Sequence, residues 1–167
     1  MAGPDEVPKC KGNLIFLVKK VFREEDPEQE EKMISKCRPE HQEILRQAII
    51  SGQWYPEAVL ADFIKVGFET YGQKRSCELS RTLAKEELNT VLRFFLKLFV
   101  SPGMLSKNND KLWKALHDTG ALTVKSIDDR SQRLEIKDFD FINKEYETAF
   151  VEYHCGILEA TGAKNVK

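Results

Sequence analysis

Cys77 follows Lys74 and Arg75 closely along the chain. Cations beside a thiol favour the thiolate that a cysteine nucleophile needs. Cys77 is therefore the best-placed thiol of the four, which are Cys10, Cys37, Cys77 and Cys155. Read structurally, it is a small residue facing a core. His117-Asp118 offers a base oriented by a carboxylate. At the end of a helix, the same histidine favours the negative end of the helix dipole. His154-Cys155 joins two metal-ligating types, but neighbours on a helix point about 100° apart, so one ion could not easily take both. His154 reads instead as a partly buried helix histidine. These residues assign no catalytic group and no metal site.

Other chemistry lacks its motif. The chain has no Cys-x-x-Cys pair, no Gly-x-Gly-x-x-Gly or Walker loop and no Gly-x-Ser-x-Gly. Glu24-Glu25-Asp26 and the acidic run 28–31 lack the apolar context that raises a carboxyl pKa, so they read as a solvated face. Asp128-Asp129 reads as a hairpin turn. Lys74, Arg75, Arg81, Lys85 and Arg93 form a modest basic strip without an interleaved aromatic array, which argues against nucleic acid.

The chain is 41% hydrophobic and 32% charged over 167 residues, enough for one domain with a core and a solvated surface. A formal net charge of −1 provides no overall field towards nucleic acid or anionic membrane. The polar start carries Pro4 and Pro8 without an apolar signal core. The stretch 91–100 is interrupted by Arg93 and Lys97 and is too short to span a bilayer. The expectation is a cytoplasmic chain with free thiols.

The elements that must position these residues are mainly helical. Residues 1–11 read as a disordered or extended tail, and 12–167 as a single α+β domain. Leu14, Ile15, Leu17, Val18, Val21 and Phe22 recur at helical spacing, and Asp26-Pro27 ends that helix. A short acidic helix follows over 28–35. Pro39 opens another, with Ile44, Leu45, Ala48 and Ile49 as its buried face. Residues 51–56, ending Trp54-Tyr55-Pro56, read as a turn into a helix with the face Val59, Leu60, Phe63, Ile64, Val66 and Gly67. Tyr71-Gly72 closes that helix. A segment over 77–87 and a central buried helix over 91–100 follow. Met104, Leu105, Leu112, Trp113 and Leu116 suggest a helix ending near Asp118-Thr119-Gly120. The period then changes: Leu122, Val124 and Ile127, then Leu134 and Ile136, alternate as a β-hairpin. A last helix spans about 143–161, capped by Gly162, and 163–167 looks like the start of a strand. Two strands and a fragment make a poor sheet, so the sheet reads as ending early or as completed by another copy.

The second half resembles a known superfamily. The residues that carry this are Ser101-Pro102, Leu112-Trp113, His117-Asp118-Thr119-Gly120-Ala121-Leu122, the hairpin, and the aromatic helix that ends Gly156-Ile157-Leu158-Glu159-Ala160-Thr161-Gly162-Ala163-Lys164-Asn165-Val166. They are similar to the superfamily of haem–nitric-oxide-binding domains, bacterial 4-vinyl-reductase-type domains and Golgi-transport TRAPP subunits. A bacterial paralogous family of uncharacterised function, abundant in myxobacteria, is nearest. Lys11-Gly12-Asn13-Leu14 and Trp54-Tyr55-Pro56 match its habits, so the likeness covers roughly 11–167. The resemblance implies N-terminal helices and a long C-terminal helix packed on a small antiparallel sheet, and non-enzymatic work. The haem-binding Tyr-x-Ser-x-Arg run is absent, so haem is not expected and no cofactor is assigned.

Aromatics are the remaining feature, and most of them read as core. With the resemblance, some could line an apolar ligand pocket, with Phe94, Phe95, Leu98, Trp113, Phe150, Tyr153 and Ile157 as its walls. The resulting expectation is a non-enzymatic domain of bacterial intracellular signalling that senses an apolar small molecule or binds a signalling protein. A homodimeric assembly subunit using the open sheet edge at 163–167 and a small thiol-dependent enzyme using Cys77 or His117 are the alternatives.

Overall fold

The computed structural model describes residues 7–90, 110–128, 131–140, 143–160, 163, 164 and 166. The chain opens on strand β1 (Lys9–Lys11), followed by helices α1 (Gly12–Glu25), α2 (Pro27–Lys36) and α3 (Pro39–Arg46). Asp26 makes the first break. Its N–H ends α1 by donating to Phe22 O at 3.0 Å, while its carboxylate caps α2 by accepting from Glu28 N at 3.0 Å. Proline in the first turn of α2 costs no hydrogen bond there. The apolar stripe of α1 (Ile15, Leu17, Val18, Val21, Phe22) is buried, as its spacing requires.

Trp54-Tyr55-Pro56 forms strand β2 rather than a turn, pairing antiparallel with β1 as Lys9↔Pro56, Cys10↔Tyr55 and Lys11↔Trp54. Residues 9–11 are therefore held in a sheet and are not a free tail. Three-residue strands carry too little periodicity to be read from sequence. Helix α3 stops at Arg46, which leaves Ala48 exposed instead of on a buried face; His41 and Leu45 are buried in α3.

Helix α4 (Glu57–Thr90) bends at Gly72, whose φ of 75° is open to glycine and strained for other residues. Its first arm buries Val59, Leu60, Phe63 and Val66, as the periodicity predicts. The pocket-wall residues Phe94, Phe95 and Leu98, together with the helix expected over 91–100, lie outside the described residues. Helix α5 is described over residues 110–116. Strands β3 (Ala121–Ser126) and β4 (Gln132–Lys137) pair as the expected hairpin. Helix α6 (Lys144–Ala160) then runs along α4.

Residues 163, 164 and 166 are not in a strand, and Ala163 N donates back to Leu158 O at 3.0 Å, as a helix C-terminus does. The architecture is thus α+β and mainly helical, with two small two-stranded antiparallel sheets among the described residues. One core runs from Ile15, Phe22 and Met33 through Phe63 to Trp113, Phe139 and Tyr146. Among the described residues, no helix is long and apolar enough to cross a membrane.

Candidate functional site

Alternation along β1 turns Cys10 inward, where it is fully buried, and Lys9 and Lys11 outward. Below Cys10 lies Glu57, the first residue of α4, with no exposed surface. A buried carboxylate must be paired or lose its charge. Glu57 Oε2 lies 3.0 Å from His117 Nδ1 at the end of α5, and Oε1 accepts from the Tyr146 hydroxyl on α6 at 2.9 Å. Backbone bonds converge on the same point: Glu57 N donates to Pro8 O at 2.8 Å, and Asp118 N donates to Lys9 O at 3.0 Å. The group joins β1, α4, α5 and α6.

Asp118 is not the carboxylate that orients His117. Its Oδ1 accepts from Lys9 N at 2.7 Å, which closes the second edge of β1. The partner is Glu57, 60 residues away in the chain. A carboxylate on Nδ1 is the arrangement that orients a general base. Here, however, Trp113 stacks on the imidazole at 4.0 Å, Phe139 meets it edge-on at 5.7 Å, and the histidine is buried. Burial and the Glu57 charge hold the Tyr146 hydroxyl well above its usual range, and burial, with Glu57 next, does the same to the Cys10 thiol. The geometry makes this cluster a closed polar junction. Glu57 carries no sequence signal, because one acid in a first turn is ordinary.

Of the expected pocket walls, Trp113 and Phe150 meet edge-on at 5.8 Å. Phe139 and His117 also pack on the Trp113 ring. Tyr153 packs its ring on His154, and Ile157 is half-buried on α6. A shallow cleft of about 190 Å³ lies elsewhere, between Phe68, Glu69 and Gln73 of α4 and Lys144, Glu145 and Thr148 of α6.

Cys77 does not gain the expected electropositive setting. Arg75 turns away to Glu25 and Glu78, and burial, followed by the Glu152 charge, raises the thiol pKa. The other thiols are buried, and burial leads in raising each of them, Cys37 to about 12. Alkylation at neutral pH should therefore be slow at Cys77 and slower still at Cys10, Cys37 and Cys155 until the chain is unfolded. Peptide mapping after timed iodoacetamide exposure checks this, and a burst of labelling at any thiol would contradict it.

The acidic stretches are not a uniformly solvated face. Glu30 is buried against Lys19 and takes Arg23 at 2.6 and 2.9 Å, while Glu25 reaches Arg75 and Glu31 takes Arg46 at 2.8 Å. Arg75, Arg81 and Lys85 of the basic strip are likewise matched by acids. Arg81 meets Glu152 at 2.5 Å and also Glu159, and Lys85 meets Glu159 at 3.2 Å. Arg93 lies outside the described residues. Among those described, no group of three or more His, Cys, Asp or Glu could hold a metal ion.

His154 donates from Nδ1 to Phe150 O at 3.0 Å, and its ring packs on Phe150 and Tyr153. Burial lowers its pKa from 6.5 to about 4. Between those values the unfolded chain binds a proton that the folded chain does not. The stability from a neutral His154 is thus whole above about pH 6.5 and is lost as pH falls towards 4. From pH 7 to pH 5 the protein should lose about 1–2 kcal/mol through this residue. Urea midpoints of the wild type and His154→Leu isolate that share, and parallel pH profiles for the two would refute it.

The outer face of β1–β2 sets basic and aromatic side chains side by side. Lys9, Lys11, Trp54 and Pro56 share it by register. Lys11 Nζ sits 3.9 Å above the Trp54 ring and donates to Gly52 O at 3.0 Å. The loop before β2 lies on the start of α1. Asn13 N donates to Ser51 O at 3.1 Å, and a Cβ on Gly12 would fall 2.3 Å from Ile50 O. Phe16, one turn beyond Gly12, is 47% exposed, Ile50 54% and Trp54 41%. The sequence holds a sign of this face, because residues 47–56 carry no charged side chain in a chain that is 32% charged.

No protein-family model matches the chain, and neither a curated protein nor a solved structure is similar to it.

Proposed function

We propose that this domain is a non-catalytic, intracellular protein-interaction module that engages its partner through the face built by Phe16, Ile50 and Trp54. The observation that carries the reading is the exposure of Ile50 and Trp54 on one loop and of Phe16 one turn along α1 from Gly12, which that loop meets. Large apolar groups grouped on a surface mark interaction sites, and tryptophan is enriched among the residues that dominate binding. The loop is tied to α1 through Gly12 and Asn13 and to β1 through the strand pairing. The face is therefore preformed and has little ordering entropy to lose on binding.

The polar groups that could do chemistry support the same reading. The Glu57–His117–Tyr146 group is enclosed, and each thiol pKa is raised. The intracellular part rests on the four unbridged cysteines. The order of hairpin and aromatic helix is also the order implied by the resemblance to the haem–nitric-oxide-binding, 4-vinyl-reductase-type and TRAPP superfamily, and a bacterial signalling role is proposed on that footing.

Photo-crosslinking tests the face. Benzoylphenylalanine placed at position 16 or 54 should give adducts heavier than the 19.2 kDa chain, whereas position 78 on α4, an exposed control, should not. Adducts of twice the chain mass would turn the reading to a homodimeric assembly subunit. Equal adducts from position 78, or none from 16 and 54, would sink it.

A further inference from the structure

The chemistry of the partner is legible in the same face, and its identification rests on the proposed interaction role. From the outer face of β1–β2 we infer that it takes an extended, acidic segment of a partner protein carrying an apolar anchor.

Three observations converge. The first is charge. Lys9 and Lys11 point outward on one face, and among the described residues neither makes an ion pair. Several other cations are matched by acids within the fold: Arg23 by Glu30, Arg46 by Glu31, Arg75 by Glu25 and Arg81 by Glu152. Residues 47–56 add no acid to neutralise the two lysines. The Asp118 carboxylate beside them is taken by the Lys9 backbone N–H, which leaves the two ammonium groups complementary to carboxylates on another chain.

The second is the anchor. Trp54 is partly exposed with Lys11 over its ring, Ile50 is exposed in the loop before it, and Phe16 is exposed one turn along α1 from Gly12, which that loop meets. An apolar side chain seated there is flanked by cations, as in an interface with an apolar centre and a polar rim.

The third is backbone. Gly12 N donates to Gln53 O at 2.8 Å and Glu57 N donates to Pro8 O at 2.8 Å. In this antiparallel register, Cys10 and Tyr55 exchange the intervening bonds, so the N–H and C=O of Trp54 turn away from β1. The other edge of β1 is already closed by Asp118. Among the described residues no backbone group pairs with the outward N–H and C=O of Trp54, and a strand edge left so accepts an extended segment by main-chain pairing.

Two competing occupants fit less well. An anionic membrane would have two lysines to hold a chain of formal net charge −1. Single-stranded nucleic acid needs a basic groove with successive aromatic platforms, and this face presents one tryptophan.

The test uses the full chain and four probes: a peptide of Glu and Asp around a central Leu-Phe pair, its Lys-for-acid counterpart, phosphatidylserine–phosphatidylcholine vesicles, and oligodeoxythymidine. Binding is read from Trp54 emission, with Trp54→Phe identifying the signal that belongs to Trp113. The acidic peptide should bind, and the basic one should not. Lys9→Glu with Lys11→Glu should weaken binding about ten-fold or more, and added salt should weaken it too. Lys9→Gln with Lys11→Gln, milder for the fold, should give a smaller loss in the same direction, with circular dichroism checking that both variants fold. Equal binding of both peptides, preference for vesicles or oligonucleotide, or no binding to any probe would overturn the inference. If the crosslinks at positions 16 and 54 persist while the acidic peptide fails, the partner class is wrong and the interaction face stands. If both fail, the interaction role falls as well.

Discussion

Replacing Glu57 with leucine should destabilise the protein by about 3–5 kcal/mol, the cost of breaking a buried charged network by removing one partner. Leucine fills much of the same volume, so the loss does not come from a cavity. It comes from what is left behind: the His117 ring nitrogen and the Tyr146 hydroxyl, 3.0 and 2.9 Å from the Glu57 oxygens, lose their acceptor inside the core. Each unsatisfied buried group costs about 1–3 kcal/mol. Tyr146→Phe removes one hydroxyl and leaves Glu57 its histidine, so about 1–2 kcal/mol is expected. The triple variant Glu57→Leu, His117→Leu, Tyr146→Phe should recover part of the loss, because no stranded partner remains. Urea unfolding of the wild type and these three variants measures all of this. A Glu57→Leu loss below about 1 kcal/mol would mean that the junction does not hold the four segments together.

Trp113→Ala should cost about 3–5 kcal/mol, the range for truncating a large buried aromatic. The side chain is 3% exposed and its Nε1 donates to Thr119 O at 2.8 Å. Its ring stacks on His117 and meets Phe139 and Phe150 edge-on at 5.0 and 5.8 Å. Alanine forfeits those contacts, and the surrounding rings belong to separate elements that cannot close the gap together. Trp113→Phe, which keeps most of the volume, should cost less. A Trp113→Ala loss well under about 1 kcal/mol would mean that helix α5 over 110–116 is not anchored by this residue.

Legibility follows the range of the interactions. The stripe Ile15, Val18, Val21 and Phe22 repeats at helical spacing, and the alternation of Leu122 with Val124 and of Leu134 with Ile136 repeats at strand spacing, so both stand in the sequence. Asp26-Pro27 and Gly72 are breaks that act through their own backbone preferences. Trp54-Tyr55-Pro56 reads as a turn in the sequence because its strand exists only through pairing with Lys9–Lys11, far away in the chain. Of the candidate site residues, Trp113 is legible as core. Asp118 stands out through its position next to His117, but adjacency does not decide which carboxylate an imidazole meets.

The sequence by itself determined the helical content, the hairpin, the principal breaks and the want of a self-contained catalytic motif, since each is written in local spacing or residue type. Only the tertiary structure decided that Glu57 is the partner of His117 and Tyr146, that Arg75 serves Glu25 instead of Cys77, and that Trp54 stands outside with Lys9 and Lys11 beside it. The physical reason is that a charge or a thiol takes its character from neighbours within a few ångströms, and the fold draws those neighbours from distant parts of the chain.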